Sequence, residues 1–473
     1  FVAPPEEIYT CFDVLGAATS RPRYTLDADF DWPSKSAEVT QTVRYTNLTD
    51  NPQERLVLHA EPNRYANGIQ LAETRLNNTV IEGVSINITQ MSIPLPEPLP
   101  PGCALELTLV YTLNVPPIEV GYYGRFGYLG YTSRQVNLGH WFPVVGLQRA
   151  GDWYTPRPYF VGEQTTAEMA DFELRFTLQD APPDVELAAA GDVVAEGDNQ
   201  WTITLENARD LTLSLGDGFR RESVLATNDV VVELYHYPDV SAGIEFDAPR
   251  QALSAAADSM LLFEEQFGMD YPLERLVVVQ GDFPDGMEFS GLIYVSEAWF
   301  RTWNGRLNSW LTTITVHEVA HQWWYLLVGN DPAEYPYMDE AFATYSEFLF
   351  YERFYENPDW WWDFRVRAHD VTAGAVDRSI YHFDNARGYI NMAYLRGALM
   401  LHNLREELGD DAFFAWLQSY LRQHENRVAT PDDLWGAMPE DALAETDATR
   451  RLYLQGAAAL PTPIPDPTAT PAD

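Results

Sequence analysis

Basic residues are scarce in this chain of 473 residues, and lysine is nearly absent from it. Lys35 is the only lysine, and 30 Lys and Arg residues stand against 70 Asp and Glu residues, which gives a formal net charge of −40. A nucleic-acid-binding protein needs a basic surface, so this balance argues against that class of function. Two interpretations of the acidity remain open: a preference for cationic substrates, and an ordinary solvated acidic surface.

Long apolar runs and cysteines are also scarce. No run of about 18 apolar residues is present, so the sequence predicts no membrane-spanning segment. The two cysteines, Cys11 and Cys103, lie in the N-terminal third, far along the chain from the candidate site described below. Neither is therefore expected to be a metal ligand or a nucleophile. They pair in an oxidising compartment or remain two free thiols, and the sequence leaves both alternatives open.

The N-terminal half carries the alternation of apolar and polar residues that is typical of half-buried β-strands. The pattern recurs between Pro, Gly and Asn residues in the segments AEVTQTVRYTNL, RLVLHAEP, ALELTLVYTLNV, FELRFTLQ and QWTITLENARDLTLSL. We therefore predict a β domain over residues 22–216, preceded by an N-terminal segment over residues 1–21.

Helical patterns dominate residues 217–445, which we predict to form a second domain. VVVELYHYP and LERLVVVQG are typical of strands, whereas PRQALSAAADSMLLFEEQFG has the period of an amphipathic helix that ends at Gly268. The C-terminal segment, residues 446–473, includes the Pro/Thr-rich sequence PTPIPDPTATPAD. This composition cannot build a core, so we expect an extended linker there and, through it, a tether to another molecule or domain.

The segment NSWLTTITVHEVAHQWWYLLVGN predicts one long helix, which Asn308 or Ser309 begins and Gly329 ends. His317 and His321 are four residues apart in it. They therefore lie on one helix face and can present their imidazole nitrogens to the same ion. The alternative is an amphipathic helix that carries two histidines by chance.

A catalytic zinc site needs a third protein ligand and an open position. Glu340 lies in the first turn of a second predicted helix, YMDEAFATYSEFLFYERF, and 18 residues separate it from His321. A turn and an antiparallel return of that length bring Glu340 back to the histidine pair. We therefore predict that His317, His321 and Glu340 bind one Zn²⁺ per chain. Glu318 is then the expected general base for a water that attacks a peptide carbonyl.

The spacing of these four residues, followed by AFATY, resembles the M1 family of zinc aminopeptidases. The resemblance covers most of the chain, from about Tyr24 to about Met438. It implies a multidomain β plus α/β fold, with an N-terminal β-sheet saddle domain followed by a thermolysin-like, mainly helical catalytic domain. It also implies hydrolysis of the N-terminal peptide bond of peptides with a free N-terminus. We expect an extracellular or cell-surface location for such an enzyme.

The segment GDFPDGMEFSGLIYV resembles the family's G-x-M-E-N motif, with Phe289 in place of the usual Asn. The resemblance implies that Glu288 binds the free α-amino group of the substrate and that Gly286 and Met287 contact its backbone. A carboxylate beside the zinc site pairs well with an ammonium, and this pairing would fix cleavage after the first residue. The alternative for Glu288 is a solvated carboxylate at a strand end.

Two further segments resemble parts of the family pattern. YLRGALMLHNLREELG is similar to the Y-E-K-G segment, which implies that Tyr394 donates a hydrogen bond to the oxyanion. Tyr389 and Tyr381 are nearby competitors, and each could instead be a core tyrosine. QVNLGHWFPVVG is similar to a segment of the N-terminal domain in which many members place a Gln or Glu that shares the substrate amine. Gln135 is the candidate there, although its spacing to Pro143 departs from the family pattern.

Family members usually continue into a long helical domain that covers the active site, whereas a Pro/Thr-rich tail follows here. We therefore expect a short form with an open cleft. An open cleft favours an endopeptidase as the alternative function, against which Glu288 argues. A non-catalytic binding module would lack a ligand or the base, and all four residues are present. Hydrolysis of a non-peptide bond, such as an epoxide, at the same zinc also remains open.

Overall fold

A computed structural model describes residues 9–12, 20–118, 127–149, 151–197, 199–238, 246–371 and 373–455. The Pro/Thr-rich sequence and most of the predicted N-terminal segment lie outside the described residues. The described part of the chain contains a large β-sheet region followed by a mainly helical region, so the predicted fold class is confirmed.

The strands of the β-sheet region that the structure describes are β1 (Thr10–Cys11), β2 (Arg23–Asp31), β3 (Ser36–Thr46), β4 (Gln53–His59), β5 (Ile69–Leu76), β6 (Thr79–Val80), β7 (Ser85–Asn87), β8 (Gln90–Leu99), β9 (Cys103–Asn114), β10 (Leu129–Tyr131), β11 (Gln135–Leu138), β12 (Val144–Val145), β13 (Leu147–Arg149), β14 (Asp152–Tyr154), β15 (Ala170–Gln179), β16 (Val185–Ala189), β17 (Asp192–Gly197), β18 (Gln200–Ala208) and β19 (Leu213–Asp217). The largest sheet has the order β17-β18-β15-β2-β3-β9-β5-β6, with β1 paired to β9. Smaller sheets have the orders β10-β11-β19-β16, β12-β4-β8-β7 and β13-β14.

Strand β2 shows why the alternating pattern produces this sheet. Its sequence is RYTLDADFD, and Tyr24, Leu26, Ala28 and Phe30 are buried while the residues between them are exposed. Successive side chains of a strand point to opposite faces, so one face of β2 packs into the core and the other contacts solvent.

Cys11 and Cys103 form a disulfide. They lie directly opposite each other in the antiparallel pair of β1 and β9. Of the two alternatives that the sequence left open, pairing is therefore the one that the structure shows.

A five-stranded sheet begins the second region, and its strands are β20 (Arg220–Leu225), β21 (Val231–His236), β22 (Arg275–Gly281), β23 (Gly286–Phe289) and β24 (Leu292–Ser296). Their order is β20-β21-β22-β24-β23. The central strands β21, β22 and β24 are parallel, whereas β23 runs antiparallel to β24 at one edge. Among the described residues, the outer side of β23 has no partner strand, so its backbone groups on that side are available to a ligand.

The helices that the structure describes are α1 (Ala248–Phe267), α2 (Glu297–Thr302), α3 (Trp310–Ala320), α4 (Tyr337–Phe354), α5 (Asp359–Trp361), α6 (Ala386–Tyr389), α7 (Gly397–Leu408), α8 (Asp410–His424), α9 (Pro431–Gly436), α10 (Glu440–Glu445) and α11 (Asp447–Tyr453). Wider π-type turns occupy Gln322–Leu327, Trp362–Arg367 and Ile390–Arg396, and short 3₁₀ helices occupy Glu61–Arg64, Thr227–Asp229 and Ile380–His382. As predicted, α1 ends at Gly268, which takes a left-handed φ of 62°. None of the described helices has the length and apolar character that a membrane crossing requires.

Helix α3 starts as predicted but ends earlier. Ser309 caps it, because its side chain accepts a hydrogen bond from the backbone N–H of Thr312. The prediction of one helix that Gly329 ends was wrong: α3 ends at Ala320, and the chain continues through the π-type turn Gln322–Leu327.

Arg209 binds the last part of this π-type turn. Its buried guanidinium donates hydrogen bonds to four backbone carbonyls, those of Tyr325 (2.6 Å), Leu326 (3.0 Å), Ala167 (3.0 Å) and Arg427 (2.8 Å). The last carbonyls of the turn are therefore satisfied by a side chain of the β-sheet region and need no glycine cap. Gly329 is required for a different reason, since a Cβ there would lie 2.6 Å from Cζ of Arg209.

Candidate functional site

Three side chains from two helices meet beside the edge strand β23. His317 lies in the last turn of α3, His321 directly follows this helix, and Glu340 lies in the first turn of α4. Nε2 of His317 is 3.2 Å from Nε2 of His321 and 3.2 Å from Oε2 of Glu340. Nε2 of His321 is 3.5 Å from the same Glu340 oxygen. All three residues are buried.

This triangle of ligand atoms has the dimensions of a zinc site. Zinc binds His nitrogen and carboxylate oxygen at about 2.0–2.1 Å in tetrahedral geometry, which places neighbouring ligand atoms about 3.3 Å apart. The observed separations of 3.2, 3.2 and 3.5 Å match the three edges of one tetrahedral face. The residues present therefore fit a zinc ion, with the fourth position directed away from the triangle.

The acidic surroundings favour positive charge at this point. Burial alone lowers the pKa of His317, but its hydrogen bonds with Glu340 and Glu347 outweigh burial and raise the pKa to about 9. For His321, burial also acts to lower the pKa, whereas the charge of Glu288 and the contact with Glu340 raise it to about 9. The same carboxylates that favour protons on the imidazoles would favour a bound cation in their place.

A glutamate that the sequence analysis missed holds His317 from behind. Nδ1 of His317 is 2.9 Å from Oε1 of Glu347. Trp361 donates to Oε2 of this carboxylate at 2.9 Å, and Arg365 donates to both of its oxygens at 2.8 Å. Ligating histidines commonly have such a carboxylate on the other ring nitrogen, which fixes the orientation of the ring. The signal was present: Glu347 follows Glu340 by seven residues, two turns along one face of α4.

Glu318 faces the cavity beside the three ligands. Its side chain is buried, and its Oε2 has no hydrogen-bond partner among the described residues. Burial and the charge of Glu288 raise the pKa of Glu318 well above its usual value. Gly286 is needed here for close approach, since a Cβ at this position would lie 2.2 Å from Oε1 of Glu318. The structure thus places Gly286 against the carboxylate of Glu318.

Glu288 and Met287 belong to the edge strand β23 and line the same cavity. Oε1 of Glu288 is 3.7 Å from Nδ1 of His321. Glu288 is buried, so the alternative of a solvated carboxylate at a strand end is wrong. Burial raises its pKa, and the charge of His321 acts against that shift. Phe289, which stands where the family has Asn, packs its ring against those of Tyr128, His140 and Tyr294.

Tyr394 lies in the π-type turn Ile390–Arg396 and contacts the ligand set directly. Its hydroxyl donates a hydrogen bond to Oε1 of Glu340. Its ring stacks parallel to that of His317, with 5.8 Å between centroids and 5° between planes. Tyr389 packs edge-on against Tyr394 at 5.4 Å. Tyr381 is occupied elsewhere, since its hydroxyl donates to the carbonyl of Arg157 at 3.0 Å.

Gln135 does not join this group, and its predicted role in binding the substrate amine was wrong. Gln135 is fully buried in β11, outside the residues that line the cavity. Its Nε2 donates to Ser214 at 3.2 Å and to the carbonyl of Gln280 at 3.0 Å, and its Oε1 accepts from the N–H of Asp282 at 2.8 Å. Its amide therefore joins the β-sheet region to the second sheet and has no group left for a ligand.

Glu163 is the acidic residue of the β-sheet region that lines the cavity. One carboxylate oxygen each of Glu163, Glu288 and Glu340 lie within 4.8 Å of one another. Burial and the charge of Glu288 raise the pKa of Glu163 well above its usual value. Glu163 follows Gly162, whose φ is +67°, in a segment without regular secondary structure, so no periodicity of the sequence could have identified it.

These side chains surround a cavity of about 180 Å³. Its acidic lining residues are Glu163, Asp285, Glu288, Glu318 and Glu340. Arg365 also lines the cavity, and the apolar part of the wall includes Tyr128, Phe160, Phe283, Ile314 and Ile390. The site can thus hold a cation at the ligand triangle, an ammonium between Glu163 and Glu288, and a proton at Glu318.

Comparisons with known proteins agree with this geometry. The family model described as the Peptidase family M1 domain matches residues 251–451. Endoplasmic reticulum aminopeptidase 2 of Homo sapiens is 28% identical over 247 residues, which cover 49% of this chain and 25% of that protein. Aminopeptidase N of Lactobacillus helveticus is 30% identical over 210 residues, which cover 40% of this chain and 24% of that protein. The chain thus matches about a quarter of the length of these relatives.

Solved structures with this fold span almost the whole chain. An M1 zinc metallopeptidase from Deinococcus radiodurans has a TM-score of 0.68 and 23% identity, with 96% of each chain covered. A mutant of a two-domain M1 zinc metallopeptidase bound to L-arginine has a TM-score of 0.68 and 21% identity, with 94% of this chain and 96% of that chain covered. At this level of identity the likeness establishes the fold.

Proposed function

We propose that this chain is a zinc-dependent aminopeptidase of peptidase family M1 that hydrolyses the N-terminal peptide bond of peptides, because the model of that family's domain matches residues 251–451. The observation that carries the proposal is the triangle of His317, His321 and Glu340, whose edges of 3.2, 3.2 and 3.5 Å suit one zinc ion. The relatives named above are aminopeptidases and zinc metallopeptidases, which supports the same reading.

The residues around the triangle have separate roles in the proposed reaction. When bound, zinc supplies Lewis-acid polarisation of the scissile carbonyl and of water. Glu318 accepts a proton from the attacking water and gives it to the departing amine nitrogen. The free Oε2 of Glu318 supports this role, because no internal partner has to be displaced before it can accept a proton.

The substrate amine is bound by two carboxylates that come from different regions. Glu163, from the β-sheet region, and Glu288, from β23, face the same part of the cavity. An ammonium placed between them relieves their mutual repulsion and is a charge-assisted hydrogen-bond donor to both. Since the amine is held at a fixed distance from the catalytic residues, the first peptide bond is the one that is cleaved. Glu163 takes the role that the sequence analysis gave to Gln135.

Tyr394 and the edge strand complete the proposed site. The hydroxyl of Tyr394, which donates to Glu340 in this structure, is the proposed donor to the oxyanion that forms at the attacked carbonyl. Gly286 and Met287 are the proposed contacts of the substrate backbone, because they lie on the outer edge of the sheet, where a peptide can add as a further strand.

The test of this function compares one peptide with a free N-terminus and the same peptide after N-acetylation, with products identified by mass spectrometry. We expect release of the first residue from the free peptide and little cleavage of the acetylated one, because the latter has no ammonium. A chelator should abolish the activity and Zn²⁺ should restore it. Equal cleavage of both peptides at internal bonds would identify an endopeptidase and overturn the proposal.

A variant separates the amine-binding role from catalysis in general. Glu288→Ala should lower kcat/KM for free peptides by about 10²-fold, because a partly desolvated ammonium loses a charged partner. Glu274→Ala, at an exposed position directly before β22 of the same sheet, is the matched control. An unchanged kcat/KM in Glu288→Ala would remove Glu288 from the amine site.

We also propose an extracellular or cell-surface location and a division into two domains directly after β19, since the predicted boundary between residues 216 and 217 lies inside that strand. The disulfide of Cys11 and Cys103 supports the location, because disulfides persist in oxidising compartments. The sheet order supports the division, since β20 pairs with β21 of the second sheet. Thiol alkylation of protein taken directly from cells tests the location, because paired cysteines do not react. Limited proteolysis tests the division into domains. The proposed tether involves the Pro/Thr-rich sequence and lies outside the described residues.

A further inference from the structure

A second groove, of about 220 Å³, lies next to the start of α3. Its walls include four aromatic side chains, Trp299, Trp303, Trp310 and Phe364, and we call it the tryptophan groove. All four side chains are partly exposed. None of them takes part in the site described above.

The aromatic rings of the groove form a continuous surface. Trp299 and Trp310 stack with 5.4 Å between centroids, and Trp310 contacts Phe364 at 4.5 Å. Nε1 of Trp299 has no hydrogen-bond partner among the described residues, although the atom is shielded from solvent. The groove thus offers adjoining apolar ring faces, which suit an aromatic side chain.

The relation between β23 and α3 gives the direction in which a bound peptide would extend. A Cβ on Gly286 would meet Ile314 and Glu318, whereas Glu288 lies beside His321. The strand and the helix therefore run in the same direction past each other. A peptide whose N-terminus is held at Glu288 extends along the strand edge towards Gly286, and hence towards the start of α3.

The tryptophan groove lies at that end of the cleft. Ile314 and Arg365 line the catalytic cavity. Trp310 is one helical turn before Ile314, and the guanidinium of Arg365 lies 5.2 Å from the centre of the Trp310 ring. Phe364 is the neighbour of Arg365 in sequence. The same two segments therefore form a wall of the cavity and, directly beyond it, a wall of the groove.

The spacing along α3 indicates which substrate residue reaches the groove. Trp310 precedes His317 by seven residues, which corresponds to about 10 Å along a helix axis. An extended peptide advances about 3.3 Å per residue. Trp310 is therefore level with the third residue after the cleaved bond.

We propose that the tryptophan groove binds the side chain of the third residue after the cleaved bond and selects peptides that carry an aromatic residue there. The proposal rests on the proposed aminopeptidase function and names the class of peptide that this enzyme prefers. Burial of one aromatic ring against Trp299, Trp310 and Phe364 should raise kcat/KM by about tenfold over alanine.

The experiment uses three pentapeptides with the same N-terminal leucine: Leu-Ala-Ala-Phe-Ala, Leu-Ala-Ala-Ala-Ala and Leu-Phe-Ala-Ala-Ala. We expect kcat/KM for the first to exceed that for the second by about tenfold. The third peptide controls for position, since its phenylalanine directly follows the cleaved bond. Equal values for the first two peptides, or an equal gain for the third, would overturn the proposal.

Variants assign the effect to the groove. Trp299→Leu should reduce the ratio of kcat/KM between the first two peptides to near one. The substitution breaks no internal hydrogen bond, because the indole N–H has no partner among the described residues. Trp299→Phe keeps an aromatic wall and should retain most of the ratio. Trp201→Leu, in β18 of the β-sheet region, is the matched control and should leave it unchanged. A ratio is compared within each variant, so partial misfolding does not mimic the result.

Leucine p-nitroanilide separates this proposal from the proposed function. Its hydrolysis needs only the catalytic site. If the enzyme cleaves it, but the aromatic residue does not change kcat/KM for the peptides, the proposed function stands and the proposal for the tryptophan groove is overturned. If no substrate is cleaved, the proposed function fails, and calorimetric titration of the parent protein with the same peptides still tests the groove. Equal affinity for Leu-Ala-Ala-Phe-Ala and Leu-Ala-Ala-Ala-Ala would then overturn the proposal.

Discussion

The β-sheet region and the catalytic cavity each bury acidic side chains, but the two groups differ in how their oxygens are paired. In the β-sheet region, Oε1 of Glu61 accepts hydrogen bonds from Arg64 at 2.9 Å and from Tyr128 at 3.2 Å, and its Oε2 is 3.0 Å from Nε2 of His59. Burial alone raises the pKa of Glu61, but the charge of Arg64 and the contact with His59 lower it to about 2.

Three acids of the cavity, Glu163, Glu288 and Glu318, have few such partners. Oε2 of Glu318 has none among the described residues, and the pKa values of Glu163, Glu288 and Glu318 are all raised, with burial as the largest cause. A buried carboxylate with complete internal pairing stabilises the fold, whereas one without it is held ready for a ligand or a proton. Pairing therefore distinguishes Glu61 from these three cavity acids, whereas the proposed ligand Glu340 is paired with His317, His321 and Tyr394.

Glu347 shows that pairing matters more than position. It lies in the catalytic region, yet Arg365, Trp361 and His317 occupy its oxygens. The charge of Arg365 and the contact with His317 lower its pKa against the effect of burial. Glu347 thus resembles Glu61 in its chemistry, and we expect it to position His317 without contact to substrate.

The largest effect is expected at Glu318, the acid with the least pairing. Glu318→Gln keeps the shape of the side chain and removes the proton acceptor, so kcat should fall by roughly 10³-fold or more. Zinc content, measured by elemental analysis, should stay near one ion per chain, because the three ligands remain. A kcat within tenfold of the parent would show that Glu318 is not the base.

Tyr394→Phe should have the next largest effect. Its hydroxyl is the proposed donor to an oxyanion that exists only in the transition state, so kcat should fall by about 10²–10³-fold while KM changes little. Tyr381→Phe is the matched control, since that hydroxyl bonds to Arg157 away from the ligands. Steady-state kinetics of both variants check this. An unchanged kcat in Tyr394→Phe would transfer the role to another group, with Tyr389 the nearest candidate.

Glu347→Gln should weaken zinc binding and so distinguish a positioning acid from a catalytic one. Loss of the charged partner of His317 should raise the Kd for zinc by about 10–100-fold, measured by competition with a chelator. Glu356→Gln, at an exposed position just after α4, should leave the Kd unchanged. At saturating zinc the Glu347 variant should recover more activity than Glu318→Gln, and equal losses in both would contradict this difference in role.

The smallest effect concerns Glu61 and the dependence of stability on pH. Because folding lowers the pKa of Glu61 from about 4.5 to about 2, its contribution is complete above pH 4.5 and is lost as the pH falls towards 2. Between pH 6 and 3, the free energy of unfolding of the parent should fall by about 2 kcal/mol more than that of Glu61→Gln. Denaturant titrations at several pH values measure this, with Glu106→Gln, exposed on β9, as the control. Parallel curves for the parent and Glu61→Gln would show that the pairing adds no stability.

Local patterns made the fold class and the ligands predictable. The alternation in β2 depends on one buried sheet face, and the four-residue spacing of His317 and His321 follows from the helix turn, so both can be read from short stretches. Glu340 was predictable because it begins the next helix. The cap at Ser309 and the helix end at Gly268 followed from residue preferences at helix termini.

The errors all involve contacts between residues that are distant in sequence. The π-type turn that follows α3 ends against Arg209, which lies 116 positions before Tyr325 in the sequence. Gln135 was chosen from its neighbours, but its bonds with Ser214 and Gln280 are made across sheets. Glu163 reaches the cavity from a segment without regular structure. No local periodicity encodes such contacts, so the sequence alone could not supply them.

The four carbonyls that Arg209 binds also constrain the order in which the protein matures. One of them, that of Arg427, is 218 positions away in sequence, and two others close the turn that follows the zinc-site helix. During synthesis Arg209 leaves the ribosome long before either partner segment, and its buried charge has no complete set of acceptors until almost the entire catalytic region has emerged. The nascent chain therefore has to keep this arginine hydrated, and the final docking of the C-terminal helices is the step that expels its water. Completion of the turn beside the metal centre is thereby linked to the arrival of the segment around Arg427, 218 positions after Arg209.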